Sequence, residues 1–259
     1  MFFPEIHFID LHGDLTKHIN TKLQQLNINK FIKYQALNQN IITYKNDSNT
    51  IFVSPANSLG FMDGGIDYVL SRQMFPQVEK TVKQYIKNLN FKNIFNQNFL
   101  PVGSSLIVPV SLLNSKNQYL ISAPTMLLPQ NINKTNNCYY AMYAILRIAH
   151  KYNNYLRQNN KQLITKIVCP GLGTGIGKIS ESDAADQVCL AMEHFIKYDV
   201  NHFSVLDNNI VSSFEDKMPQ SSVYFIRDPD YILKKQPRYY QNSAYFTIPP
   251  KDIVISKLS

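Results

Sequence analysis

Four glycines stand at alternate positions in residues 164–177 (ITKIVCPGLGTGIG): Gly171, Gly173, Gly175 and Gly177. The chain holds only 9 glycines in 259 residues, about half the usual frequency. Three more fall at Gly60, Gly64 and Gly65, so seven of the nine serve two short loops. A residue without a side chain lets the backbone adopt positive φ or approach another molecule closely. Main-chain N–H groups presented this way suit an anion, and a phosphate above all.

The surroundings of the second cluster read as strand, loop, helix. Ile164, Ile167 and Val168 suit a short buried strand. Ser180 is a good helix N-cap with Asp183 three residues on. Ala185, Val188, Cys189, Met192, Phe195 and Ile196 then recur on one helical face. A tight strand-to-helix connection without a ligand would satisfy the same pattern, although alternating glycine exceeds what a turn needs. Two familiar phosphate loops are excluded. Gly177-Lys178 is followed by Ile179 instead of Ser or Thr, and Ile176 occupies the third glycine's place of the dinucleotide fingerprint.

The elements that must carry these loops follow in chain order. A first strand is expected around residues 5–10, then a turn through Gly13-Asp14-Leu15-Thr16 and a helix with Leu15, Ile19, Leu23 and Leu26 on one face. Strands are expected at 31–37 and 50–54, the latter stopped by Pro55. A helix is expected from Tyr68 and another from Pro76, its face Val78, Val82, Tyr85, Ile86 and Leu89. Residues 91–100 read as a loop, 103–110 and 119–123 as strands, and a long helix follows, capped by Asn136 or Asn137. Further strands are expected at 202–206 and 222–227. Strands alternating with helices define an α/β layered fold with a mixed or parallel sheet, whose ligands sit beyond the carboxyl ends of the strands. Both glycine loops occupy that kind of position.

Composition narrows the function classes without choosing one. At 44% hydrophobic residues the chain can bury a sizeable core. The cysteines, Cys138, Cys169 and Cys189, are odd in number and far apart, with no metal-ligand spacing, which points to a reducing compartment and no metal site. Cys169 reads as a buried thiol at a strand end in preference to a nucleophile. No basic n-region opens the chain and no apolar run reaches membrane-spanning length, so an intracellular location, cytoplasmic or nuclear, is expected. The net charge of +8 allows an anionic partner such as a nucleotide or RNA. Residues 234–246, KKQPRYYQNSAYF, interleave basic and aromatic groups that could bind nucleic acid. A solvated tail packed over the domain by its tyrosines is the preferred reading, because no RNA-binding motif accompanies the stretch.

Three segments in order resemble the macrodomain family, which binds ADP-ribose. Gly13-Asp14-Leu15-Thr16 is similar to the family's G-D-[IV]-T. Ser54-Pro55-Ala56-Asn57 with Gly64-Gly65-Ile66-Asp67 resembles N-A-A-N … G-G-[VI]-D at the family's spacing. Residues 169–177 resemble its P-x-[LI]-x-T-G-[IV] loop. The resemblance implies a three-layer α/β/α sandwich with a central mixed sheet over residues 1–207, followed by an extension at 208–259. It implies a ligand-binding set of Asp14, Leu15, Asn57, Gly64, Gly65, Ile66, Gly171, Leu172, Gly173, Thr174, Gly175, Ile176 and Gly177, and no cofactor. Asp14 would read the adenine amino group, and the two glycine loops would hold the diphosphate and near ribose. Asn57 would meet the distal ribose, and Asp67 would orient or deprotonate a water in members that hydrolyse ADP-ribosyl linkages, which makes Asn57 and Asp67 the catalytic pair.

Three departures stand out. Ser54-Pro55 replaces Asn-Ala, Ser71 stands where many hydrolases have His, and Gly177-Lys178 replaces an aromatic residue followed by Gly. They leave the phosphate loops intact and remove a stacking surface at the distal ribose. Expected partners are therefore ADP-ribose or an ADP-ribosylated macromolecule, with hydrolysis of ADP-ribosyl or ADP-ribose 1″-phosphate linkages as a further expectation. A non-catalytic reader and a nucleic-acid module are the alternatives.

Overall fold

A computed structural model describes residues 3–200 and 225–226, apart from 46, 90, 94, 95, 113 and 114. Seven strands form one mixed sheet in the order β2-β1-β6-β3-β5-β4-β7. The strands are β1 (Glu5–Asp10), β2 (Tyr34–Asn38), β3 (Thr50–Ser54), β4 (Ser105–Leu112), β5 (Ser115–Ser122), β6 (Lys166–Pro170) and β7 (Phe225–Ile226). The first five in that spatial order run parallel, and β4 pairs antiparallel with both β5 and β7. The helices are α1 (Asp14–Leu26), α2 (Gly65–Tyr68), α3 (Val78–Leu89), α4 (Asn137–Gln158) and α5 (Glu181–His194).

Parallel strands need helical crossovers, which place helices on both sheet faces. Every residue of β3 is buried, so neither face of the sheet centre meets solvent. On one face the Ser105 hydroxyl donates to the Ala144 carbonyl of α4 at 2.9 Å. There α4 packs on α5, and α5 on α1. On the other face Phe52 of β3 meets Phe75, ring centroids 5.5 Å apart. Phe75 closes a π-helical turn, Val69–Met74, that continues α2. These three layers match the fold expected from the sequence.

The helical faces formed as their spacing dictates. Leu15, Ile19 and Leu23 of α1, and Val78, Val82, Ile86 and Leu89 of α3, are all buried, as are all six residues named for the face of α5 and its continuation, from Ala185 to Ile196. Leu26 departs, remaining 40% exposed at the last position of α1. The boundaries of five elements moved. β2 starts at Tyr34 instead of Phe31, because a 3₁₀ turn at Ile28–Lys30 leaves Phe31 in a right-handed helical conformation. α3 begins at Val78 because Gln77 sits at φ +78, and Pro76 lies outside it. α2 begins at Gly65, three residues before the expected start, which places Asp67 in its first turn. β4 runs two residues further than expected, to Leu112, and β5 begins four residues earlier, at Ser115. Of the expected strand at 222–227, Phe225–Ile226 is described and pairs with β4. Residues 202–206, the basic aromatic stretch 234–246 and nearly all of 208–259 lie outside the described residues.

Candidate functional site

The two glycine loops leave the carboxyl ends of β3 and β6, neighbours in the sheet, and meet. A Cβ built on Gly64 would stand 3.9 Å from Cδ1 of Ile176. Among the described residues, a Cβ at Gly65 or Gly175 would meet nothing within 4 Å. Among the described residues, the N–H groups of Gly64, Gly65 and Ile66 donate no hydrogen bond, nor do those of Leu172 to Gly177 in sequence. Two runs of free donors on loops that approach each other are groups able to hold an anion.

Each loop is held from behind. Gly60, at φ +75, lies so close to α3 that a Cβ there would press on Val82 and Ile86. Ser58 N–H and hydroxyl both donate to the Met126 carbonyl, at 2.9 and 3.1 Å. Ser71, the residue in the usual histidine position, turns its buried hydroxyl to the Met62 carbonyl at 2.7 Å. In the second loop the Cys138 thiol of α4 donates to the Leu172 carbonyl at 2.6 Å. Ile132 N–H donates to the Gly177 carbonyl at 2.8 Å, and Ile179 N–H to the Gly173 carbonyl at 3.2 Å. Ser180 caps α5, its hydroxyl accepting from Asp183 N–H at 3.1 Å, as the sequence led us to expect.

The glycines differ in what they do. Gly173 is at φ +70, and a Cβ there would press on the Cys138 sulfur, Ile179 and Ile132. One on Gly177 would collide with the Gly173 carbonyl and Ile132, and one on Gly171 would meet Thr174 and Leu15. The space these three save lies within the protein, so their contribution to a ligand is confined to the main chain. Leu172 is likewise buried by its side chain, while Ile176 is 56% exposed.

The expected side chains are distributed unevenly. Asp14 is exposed at the first position of α1, and its carboxylate accepts no hydrogen bond among the described residues. The carboxylate that caps this helix is Asp10, whose Oδ2 accepts from Leu15 N–H at 3.1 Å. Leu15 therefore has its amide occupied and its side chain buried. Asn57 is turned on its own loop: Oδ1 accepts from Leu59 N–H at 3.1 Å and from Phe61 N–H at 3.4 Å, and Nδ2 donates to the Phe61 carbonyl at 3.4 Å. Among the described residues, one of its amide hydrogens has no acceptor.

Asp67 is the most perturbed carboxyl of the site. Burial pushes its pKa up to about 7, against the pull of a hydrogen bond from Ser54, and the charge of Asp63 adds to the rise. The Ser54 hydroxyl donates to Asp67 Oδ1 at 2.6 Å. Sequence reasoning placed Ser54 only as a departure from the family motif, and the partnership with Asp67 is a tertiary fact with no local signal. The cysteines are inert by comparison, with burial pushing the thiols of Cys138, Cys169 and Cys189 up to about 12. Among the described residues no group of three or more His, Cys, Asp or Glu side chains could hold a metal ion, and no helix is long and apolar enough to cross a membrane.

The Macro domain family model matches residues 53–188, about half of the chain and both glycine loops. The protein belongs to the macrodomain family, a family of ADP-ribose-related binding. An uncharacterized protein of Aquifex aeolicus is 27% identical over 135 residues, covering 52% of this chain and 67% of that one. An uncharacterized protein of Aeropyrum pernix is 27% identical over 139 residues, covering 54% of this chain and 61% of that one, so less than two thirds of that relative is spanned. The macrodomain of Mycobacterium tuberculosis DarG aligns with a TM-score of 0.41 at 19% identity, covering 56% of this chain and 82% of that structure.

Proposed function

We propose that this macrodomain binds ADP-ribose, free or attached to a macromolecule, between the loops at 57–67 and 171–177. The carrying observation is the approach of Gly64 to Ile176 with unoccupied N–H groups on both sides. In this reading Gly64, Gly65 and Ile66 meet one phosphate and the near ribose, and residues 171–177 wrap the diphosphate from the other side. Asp14 accepts from the adenine amino group, a role that its free carboxylate suits. Asn57 shapes the first loop and offers its remaining amide hydrogen to the distal ribose.

One specific observation supports hydrolysis of an ADP-ribosyl or 1″-phosphate linkage as part of this reading. A carboxyl whose pKa lies at about 7 takes and returns a proton near neutrality, as a general base requires. Asp67 would accept a proton from water as its oxygen bonds to the anomeric carbon and the linkage to the leaving group breaks.

Calorimetric titration with ADP-ribose tests the binding step. Gly175→Glu places a carboxylate on the second loop without touching the core, so wild-type binding with loss in the variant is expected. Undiminished affinity in folded Gly175→Glu would overturn the placement. Release of ADP-ribose from a modified protein by wild type and not by Asp67→Asn, which still binds it, would support the catalytic step. Binding without release from any linkage would make the protein a reader.

A further inference from the structure

The strand end beneath Asp67 carries a second hydroxyl that no family motif includes. Ser54 and Ser122 are in register on the adjacent parallel strands β3 and β5, and the Ala123 N–H donates to the Ser54 carbonyl at 2.9 Å just beyond them. Residues opposite one another on neighbouring strands share a sheet face, about 4.8 Å apart. That face is the one covered by α2 and the turn that follows it, since Phe52, two residues before Ser54, meets Phe75. Both serines are buried, Ser54 completely and Ser122 to 1% exposure. The Ser54 hydroxyl is committed to Asp67 Oδ1 and accepts from Ala56 N–H at 3.3 Å. The Ser122 hydroxyl is buried with no partner among the described residues, which is costly for a polar group unless it serves another state.

We propose that Ser54 is a positioning residue that fixes the Asp67 carboxyl and stabilises its ionised form, with Ser122 as a second hydroxyl donor for the same carboxyl. This rests on the cleft assignment above. A carboxylate accepts at both oxygens, whereas the neutral acid needs fewer donors, so a hydroxyl in reserve favours ionisation. The neighbouring groups do not supply that donor. β3 brings no ionisable side chain to this face, Tyr119 of β5 faces the other way against Tyr152, and Arg72 is bound to Glu79 at 2.7 Å. Among the described residues, the charge that acts on Asp67 is that of Asp63, which opposes ionisation.

The test is the titration of the Asp67 carboxyl carbon by NMR in ligand-free protein, for wild type, Ser54→Ala, Ser54→Thr and Ser122→Ala. Loss of a donor to a charged group should raise the midpoint by about one pH unit in Ser54→Ala, a tenfold smaller ionised fraction below it. Ser54→Thr should restore the wild-type midpoint, and Ser122→Ala should raise it by a smaller step. A Ser54→Ala midpoint equal to wild type would overturn the role of Ser54, and an unmoved Ser122→Ala midpoint that of Ser122. If Ser54→Ala fails to fold, Ser54→Thr and Ser122→Ala decide by the same readout. No ligand enters this measurement, so failed ADP-ribose binding counts against the proposed function alone. An unmoved midpoint beside intact binding counts against the serines alone.

Discussion

The thiol of Cys138, inside the long helix α4, donates to the main-chain carbonyl of Leu172 at 2.6 Å. One hydrogen bond thus ties the second glycine loop to the most buried helix of the fold. Because burial holds the thiol at about 12, it keeps its proton at any physiological pH and remains a donor throughout. Cys138→Ala leaves the carbonyl unpaired and opens space behind Gly173. It should cost about 1–3 kcal/mol in urea unfolding and weaken ADP-ribose binding. Cys138→Ser, which keeps a donor, should bind closer to wild type.

Glycine-by-glycine substitution should separate packing from ligand contact. Gly173→Ala and Gly177→Ala force a Cβ into the core, with Gly173 at positive φ as well. Each should destabilise the fold by about 1–3 kcal/mol. Gly175→Ala meets nothing within 4 Å and should stay within about 0.5 kcal/mol of wild type. Chemical denaturation of the three variants checks the order.

Stability should depend on Asp67 with a definite sign. Its pKa is raised from 3.8 to about 7, so the folded protein holds that proton more tightly than the unfolded chain. The associated stability is fully present below about pH 4 and is lost as pH climbs to about 7. Asp67→Asn has no charge to bury, and its stability relative to wild type should increase between pH 4 and pH 8. A constant difference over that range would contradict a desolvated carboxyl. Affinity for ADP-ribose, itself anionic, should fall as wild-type Asp67 ionises and stay level in Asp67→Asn.

Asp10 and Asp14 should separate cleanly. Asp10→Ala removes the cap on α1 and should cost about 1 kcal/mol of stability. Asp14→Ala should leave stability unchanged and reduce the preference for adenine over hypoxanthine in diphosphoribosyl ligands by about tenfold, or 1.4 kcal/mol. Competition titration measures that ratio.

Much of this molecule could be read before any coordinates. The cap at Ser180 was legible because capping obeys a local rule, and the α5 face because burial repeats every 3.6 residues. The two loops stood out because glycine is scarce here. What was not legible needed neighbours from distant sequence. A glycine does not announce which side is crowded, so Gly173 and Gly177 read as cradle positions although the core occupies their Cβ directions. Asp14 and Asp10 are both plausible caps until the loop between them is placed. The early start of α2 depends on Gly65 entering at φ +54. Ser122 became visible only through its register with Ser54.

Backbone amide shifts on titration of ADP-ribose into labelled protein address the central claim most directly. The amides of Gly64, Gly65 and Ile66 and those from Leu172 to Gly177 should move together along one binding curve, and none should respond in Gly175→Glu. Perturbations limited to one loop, or centred away from both, would contradict a diphosphate held between them.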